Sequence, residues 1–204
     1  MAEIHLRERD GVLWLILDRP PLNILTIATL DEITRALRSA VQKPPRLLVI
    51  TGAGERAFSA GVDIRDHLDG REREMLRAVY DNCAAFEQLR SRGIPTVALV
   101  KGYALGGGCE LAALCDTVIA REDAVFGLPE VTLGVFPPVA AAYFPSLIGY
   151  QAAMRLILTG ETLKAREAFR LGLVHQVLPA RRFLSEAEEL LVMLATLGQR
   201  QARS

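Results

Sequence analysis

Two strand-like stretches open the chain, EIHLRE and VLWLILD, with Asp10-Gly11 between them. Alternating and β-branched residues on both sides of an Asp-Gly pair predict a hairpin. In NILTIATLDEITRALRSAV the period changes, because Ile27, Leu30, Ile33 and Leu37 recur at helical spacing. RLLVITG (46–52) is a short, unbroken apolar run closed by glycine, the pattern of a parallel strand buried on both faces. The loop AGERAFSAGVDI comes next, followed by a helical stretch over 71–91. PTVALVKG (95–102) and DTVIARE (116–122) predict strands on either side of a glycine-rich helix start. YQAAMRLILTG and LKAREAFRLG each end on a glycine suited to close a helix. Strand, loop and helix recur along the chain, so the fold class is α/β.

Composition narrows the setting. A chain of 204 residues, half of them hydrophobic, suits one domain with a full core. Lys and Arg number 24, as do Asp and Glu, so net charge favours neither nucleic acid nor an anionic membrane. The charged start MAEIHLRERD lacks the apolar core of a signal peptide. Lys101, Glu110 and Asp116 interrupt the most hydrophobic region before it reaches membrane-spanning length. Cys83, Cys109 and Cys115 show no CxxC pairing, which points to core thiols rather than a disulfide framework or a zinc site. A soluble, cytoplasmic protein without metal or redox cofactor is the expectation.

Candidate chemistry concentrates in GYALGGGCELAALCD (102–116). Three glycines stand where a buried strand meets a helix, and the first-turn N–H groups there have no intrahelical partners. Glycine lets a ligand approach that backbone, and the helix dipole adds positive potential. Dinucleotide binding is disfavoured by the spacing, and the G-K-[ST] of a phosphate loop is absent. Two roles remain open, tight structural packing and an oxyanion site. Glu110, likewise, is either a helix-start acid or a working acid/base. A second small-residue loop, AFSAGVDI (57–64), follows the strand 46–52. Ligands of α/β sheets favour the carboxyl ends of strands, so two such loops point to one shared site.

AFSAGVDI and KGYALGGGCELAALCDTVIAREDAVFGLPEVTLGVFP together closely resemble the paired signatures of the enoyl-coenzyme A hydratase/isomerase family, the crotonases. The resemblance runs from the first strand to Pro179 and implies a spiral of repeated ββα units. It implies an oxyanion hole of two backbone amides, carried by position onto Ala60 and Gly107, that holds an acyl-CoA thioester carbonyl. The family's two catalytic glutamates fall on Glu110 and Glu130. By resemblance, Glu130 gives a proton to Cα and Glu110 orients the water. Leu22, Ala60, Asp63, Ile64 and Gly107 are the implied coenzyme A contacts, with Arg65 a candidate phosphate partner. Coenzyme A belongs to the substrate, so no separate cofactor is implied.

The implied activity is hydration of an α,β-unsaturated acyl-CoA by a hydro-lyase of fatty or aromatic acid breakdown. Double-bond isomerisation, and an inactive homologue acting as an assembly or coenzyme A-binding module, are the alternatives. GVFPPVAAAYFP (134–145) and LDRPPLNIL resemble members acting on cyclic dienoyl thioesters, the cyclohexadienecarbonyl-CoA hydratases. Pro137 and Pro138 are expected to stiffen that loop. His5, His67 and His175 match no triad and are read as surface or structural residues, and Trp14 as core. The division expected is a core over 1–179 and a short helical segment over 180–204. Ser185 and Glu188 have capping-box spacing, predicting a helix of about three turns that starts after Ser185. Its stripe of Leu184, Ala187, Leu191 and Leu194, with Leu190 and Leu197 beside it, needs a partner surface. The family's habit implies a homotrimer or dimer of trimers with this helix at or near the contact.

Overall fold

The computed structural model of the chain describes residues 3–68 and 70–201. Strands β1 (Ile4–Arg9) and β2 (Val12–Leu17) form the expected antiparallel hairpin. Asp10 and Gly11 both take positive φ, 55° and 78°, matching the twist of a two-residue hairpin turn. Helix α1 (Ile27–Gln42) starts at Thr26, whose hydroxyl accepts from Thr29 N–H at 3.1 Å.

From there the chain winds in ββα turns. The first holds β3 (Leu47–Gly52), β4 (Ala57–Ser59), α2 (Arg65–Leu68) and α3 (Glu72–Ser91). The second holds β5 (Thr96–Val100), β6 (Tyr103–Leu105) and α4 (Gly107–Leu114). The third holds β7 (Thr117–Arg121), β8 (Val125–Gly127), a 3-10 turn (Pro129–Leu133), α5 (Pro138–Ile148) and α6 (Tyr150–Thr159). After β9 (Thr162–Lys164) and α7 (Ala165–Leu171), strand β10 (Gln176–Leu178) leads through a second 3-10 turn (Ala180–Arg182) into α8 (Phe183–Gln201).

The strands sort into two sheets, in the orders β1-β2-β3-β5-β7-β10 and β4-β6-β8-β9. Each turn gives one longer strand to the first sheet and one short strand to the second, which is the crotonase-like spiral. The short strands β4, β6, β8 and β9 were not legible as strands, because three residues are too few to display a period.

The unbroken apolar runs are explained by burial on both faces of the larger sheet. Leu48 and Ile50 face the main core with Ile33, Leu37, Phe86 and Leu89. Leu47 and Val49 face the other way and meet Val97, Leu99, Ile119 and Leu178. Helix α8 covers that second face with Phe183, Ala187, Leu191 and Ala195, and Trp14 packs half-buried beside them.

Two expectations need correcting. The C-terminal helix begins at Phe183, not after Ser185, and Ser185 lies within it, its hydroxyl donating to Arg182 C=O at 3.1 Å. Flanking 3-10 geometry supplies the start, so no capping box forms. Leu184 is exposed and off the stripe, which runs through Phe183, Ala187 and Leu191 onto the chain's own sheet. The side chain of Leu197 lies outside the described residues. Residues 138–148 are helical rather than a stiffened loop. Pro138 takes the first helical position, where its missing N–H costs nothing.

Candidate active site

Both small-residue loops end at one place. Gly106 caps α4 with φ +53°, and a Cβ there would lie 2.8 Å from Glu130 Oε1. A Cβ at Gly108 would lie 2.3 Å from the Ser59 carbonyl oxygen. Packing and site geometry therefore both call for the glycine run. One glycine admits strand β4, and another admits a carboxyl group.

The amides of the AFSAGVDI loop are nearly all engaged. Ala60 N–H donates to Leu22 C=O at 2.9 Å, Gly61 N–H to Ser59 Oγ at 3.2 Å, and Asp63 N–H to Leu25 C=O at 2.9 Å. Val62 N–H has no acceptor among the described residues, nor does Gly107 N–H at the start of α4. The two adjoin, since an ideal Cβ on Gly107 would lie 3.6 Å from Val62 N. This corrects the expected donor. The Leu22 carbonyl already takes the Ala60 amide, and Gly61, at φ +105°, turns the chain so that the Val62 amide beside Gly107 stays unbonded. A parallel bridge between Leu25 and Val62 holds that turn.

Asn23 fixes the RPPLN segment that occupies Ala60. It is buried at φ 52°, its Nδ2 donates to Ala53 C=O (3.1 Å) and Ala57 C=O (2.9 Å), and its Oδ1 accepts from Arg19 N–H (3.0 Å). Sequence reasoning missed both Asn23 and Val62. Asparagine after a proline pair, a residue type that tolerates positive φ, was the only available signal for the first.

The two carboxyl groups differ. Glu110, 5% exposed, accepts from Ala140 N–H through Oε1 at 2.7 Å. Burial pushes its pKa up to about 8; the amide hydrogen bond opposes this and the Glu130 charge adds to it. Glu130, on the 3-10 turn, is half-buried, and its Oε2 has no hydrogen-bond partner among the described residues. Burial pushes its pKa up to about 6, with its own backbone N–H pulling it down. Two small cavities flank the Val62–Gly107 pair. One of about 60 Å³ is lined by Ala60, Ile64, Gly106 and Glu130. The other, of about 20 Å³, is lined by Glu110 among apolar side chains from α1, α3 and α4.

Of the other expected contacts, Ile64 is exposed at the first cavity, while the Leu22 carbonyl accepts the Ala60 amide. The Asp63 carboxylate turns away from the amides. It takes Arg65 Nη2 at 2.8 Å and Arg65 Nε at 3.1 Å, and these bonds lower its pKa to about 2. Arg65 is thus held by Asp63. His175 Nδ1 accepts from Val118 N–H at 3.0 Å and His5 Nε2 lies 2.8 Å from Asp18, both away from the site. The side chain of His67 lies outside the described residues. Among the described residues no cluster of His, Cys, Asp or Glu suits a metal ion, and no helix is long and apolar enough to cross a membrane.

A ββα spiral with two free amides beside two raised carboxyls is an arrangement that can hold an anionic oxygen and exchange protons next to it. The comparisons identify which family. Residues 7–203 match the family model described as enoyl-CoA hydratase/isomerase, and the chain belongs to that family. It is 40% identical over 204 residues to the probable enoyl-CoA hydratase echA8 of Mycobacterium tuberculosis, covering 98% of this chain and 79% of the relative. It is 36% identical to the crotonyl-CoA hydratase of Syntrophomonas wolfei, covering 98% and 78%. The solved enoyl-CoA hydratase from Bacillus anthracis superposes with a TM-score of 0.85 at 34% identity, covering 95% of this chain and 76% of that one.

Proposed function

We propose that the chain adds water across the double bond of short α,β-unsaturated acyl-CoA thioesters. The observation that carries this reading is the pair of unengaged amides, Val62 N–H and Gly107 N–H, beside the Glu110 and Glu130 carboxyls. In this scheme the thioester oxygen accepts from both amides. Attack of water at Cβ sends the π electrons toward Cα and the carbonyl, and the resulting enolate oxygen is held by donors that need no reorganisation. One such donor is worth about 2.7–4 kcal/mol of barrier.

The carboxyls divide the proton work. Glu130, against Gly106, stands at the thioester end of the site and delivers the Cα proton. Glu110 lines the inner cavity and takes the proton lost by water at Cβ. The sum is one C–O and one C–H bond formed, one water O–H bond and one π bond broken. Between pH about 6 and about 8 the pair together holds one proton. That proton rests on the more buried Glu110 in the free site and passes to Glu130 through the bound water.

The apolar walls of the inner cavity, Leu25, Val79, Leu111 and Val139, suit a hydrocarbon acyl group. Coenzyme A runs past Leu22, Ala60 and Ile64 as part of the substrate, and the scheme uses no separate cofactor. Free thiols at Cys83, Cys109 and Cys115 accord with a cytoplasmic setting. Exposed Leu133, Phe136, Leu147, Tyr150 and Leu158 around α5 and α6, with Leu184, Val192 and Met193 on α8, support a homo-oligomer, trimer-based, that buries apolar surface of this kind. Light scattering across a dilution series should show a mass several times 22.3 kDa. The activity test is loss of the conjugated thioester absorbance of crotonyl-CoA. A folded chain that binds the thioester without turnover would replace the hydratase reading with that of a coenzyme A-binding module.

A further inference from the structure

One buried polar side chain faces the inner cavity and has no part in the scheme above. Asn82, on α3, is 2% exposed. Its Nδ2 donates to Leu30 C=O at 2.8 Å and Ala78 C=O at 3.1 Å, with Thr34 Oγ1 also at 2.8 Å. Turning the amide over would set its oxygen against two carbonyl oxygens, so these acceptors fix its orientation. Among the described residues Oδ1 is buried without a partner. Asn82 lines the same cavity as Glu110, whose remaining walls are apolar, among them Leu25, Val79, Leu111 and Val139.

An unpaired acceptor in an apolar wall is costly, and an aliphatic residue at this place would avoid the cost. The cavity has about 20 Å³, against roughly 10–15 Å³ filled by one water. That space admits a group of oxygen size. A methyl group there would leave Oδ1 unpaired, while a hydroxyl would fill the space and satisfy it.

We infer that Asn82 selects enoyl-CoA thioesters whose acyl group carries a hydroxyl one or two carbons beyond Cβ, the hydroxyl donating to Asn82 Oδ1. The inference rests on the proposed orientation of the thioester, in which Glu110 lies at Cβ and the cavity with Asn82 lies beyond it. A site built around a buried hydrogen-bonding group rejects the analogue that lacks the matching group.

The probes are trans-4-hydroxycrotonyl-CoA and trans-5-hydroxypent-2-enoyl-CoA, each against its unhydroxylated parent. Wild type should favour at least one hydroxylated thioester by about 10- to 100-fold in kcat/KM, the range expected when a buried acceptor gains its donor. Binding to Glu130→Gln, where hydration is blocked, should show the same preference and removes the hydroxyl's effect on reactivity. Asn82→Ala should bring the preference near one. A purely structural asparagine would lower both thioesters together and leave their ratio unchanged. Equal binding of both pairs overturns the inference whether or not the alanine variant folds, and means that a resident water satisfies Oδ1. Preference in binding without hydration of any thioester would sink the hydratase reading and leave the Asn82 assignment standing.

Discussion

The two glutamates sit on supports of opposite character. Glu110 is set one turn into α4, a helix buried along nearly its whole length, and one of its oxygens is tied to Ala140 N–H. Glu130 rides a five-residue 3-10 turn with no buried residue, flanked by exposed Val131 and Leu133. Burial lifts both pKa values, but it lifts that of Glu110 further. Unequal burial thus separates two identical side chains and leaves the proton of the free pair on Glu110, so the proposed scheme needs the bound water to carry it to Glu130. In the proposed scheme the rigid carboxyl aims the water, and the one on the open turn reaches the carbon next to the thioester.

Replacing each carboxyl in turn gives the largest effects. Glu130→Gln and Glu110→Gln should each lower kcat for crotonyl-CoA by about 10²–10⁴-fold with thioester binding retained, because shape survives and the exchangeable proton does not. Near-wild-type turnover in either variant would remove that residue from the mechanism. Next comes the amide pair. A Cβ on Gly107 would lie 2.9 Å from Val62 Cγ1, so Gly107→Val should crowd both donors. Steady-state kinetics should then show a loss of about 10²–10³-fold in kcat, with circular dichroism confirming the fold.

The pH profile sharpens the contrast between the carboxyls. Below about 6 both are protonated and no base remains, while above about 8 both are ionised and no donor remains. The kcat/KM curve for crotonyl-CoA should be a bell with limbs near those values. A flat profile from pH 5 to 9 would contradict the shared proton.

Stability gives a smaller signal of the same origin. The pKa of Glu110 is raised in the fold, so its contribution is fully present below the unfolded value of about 4.5 and is lost as pH rises through about 8. Glu110→Gln, which cannot ionise, should therefore raise Tm at pH 9 and change it little at pH 4; equal shifts at both would argue against a buried charge. The smallest expected effect is at Ala60. Serine keeps the Ala60 N–H bonded to the Leu22 carbonyl and adds only one oxygen, so kcat in Ala60→Ser should remain within about threefold of wild type; a larger loss in steady-state kinetics would set the Ala60 side chain against the thioester.

Much of the fold could be read from local pattern. The Asp10-Gly11 hairpin, the two-face apolar run at 46–52 and the glycines closing α6 and α7 are each dictated by neighbouring residues, through φ preference or burial period. Glu110 and Glu130 could be singled out because their motifs are contiguous and distinctive. The free amide was not, since which of Ala60 and Val62 keeps its N–H unbonded depends on Leu22, nearly forty positions earlier, brought in by Asn23. The partner of α8 lay beyond reach for the same reason. An apolar stripe states that a surface is needed, but the second face of the sheet exists only once β3, β5 and β7 align. Asn82 carried no signal at all, because an unpaired oxygen is a property of its surroundings. Sequence alone thus determined the chemistry available, two carboxyls and a bare backbone. Tertiary structure decided which backbone groups remain free and how far each carboxyl departs from its ordinary pKa, because both depend on burial and on partners distant along the chain.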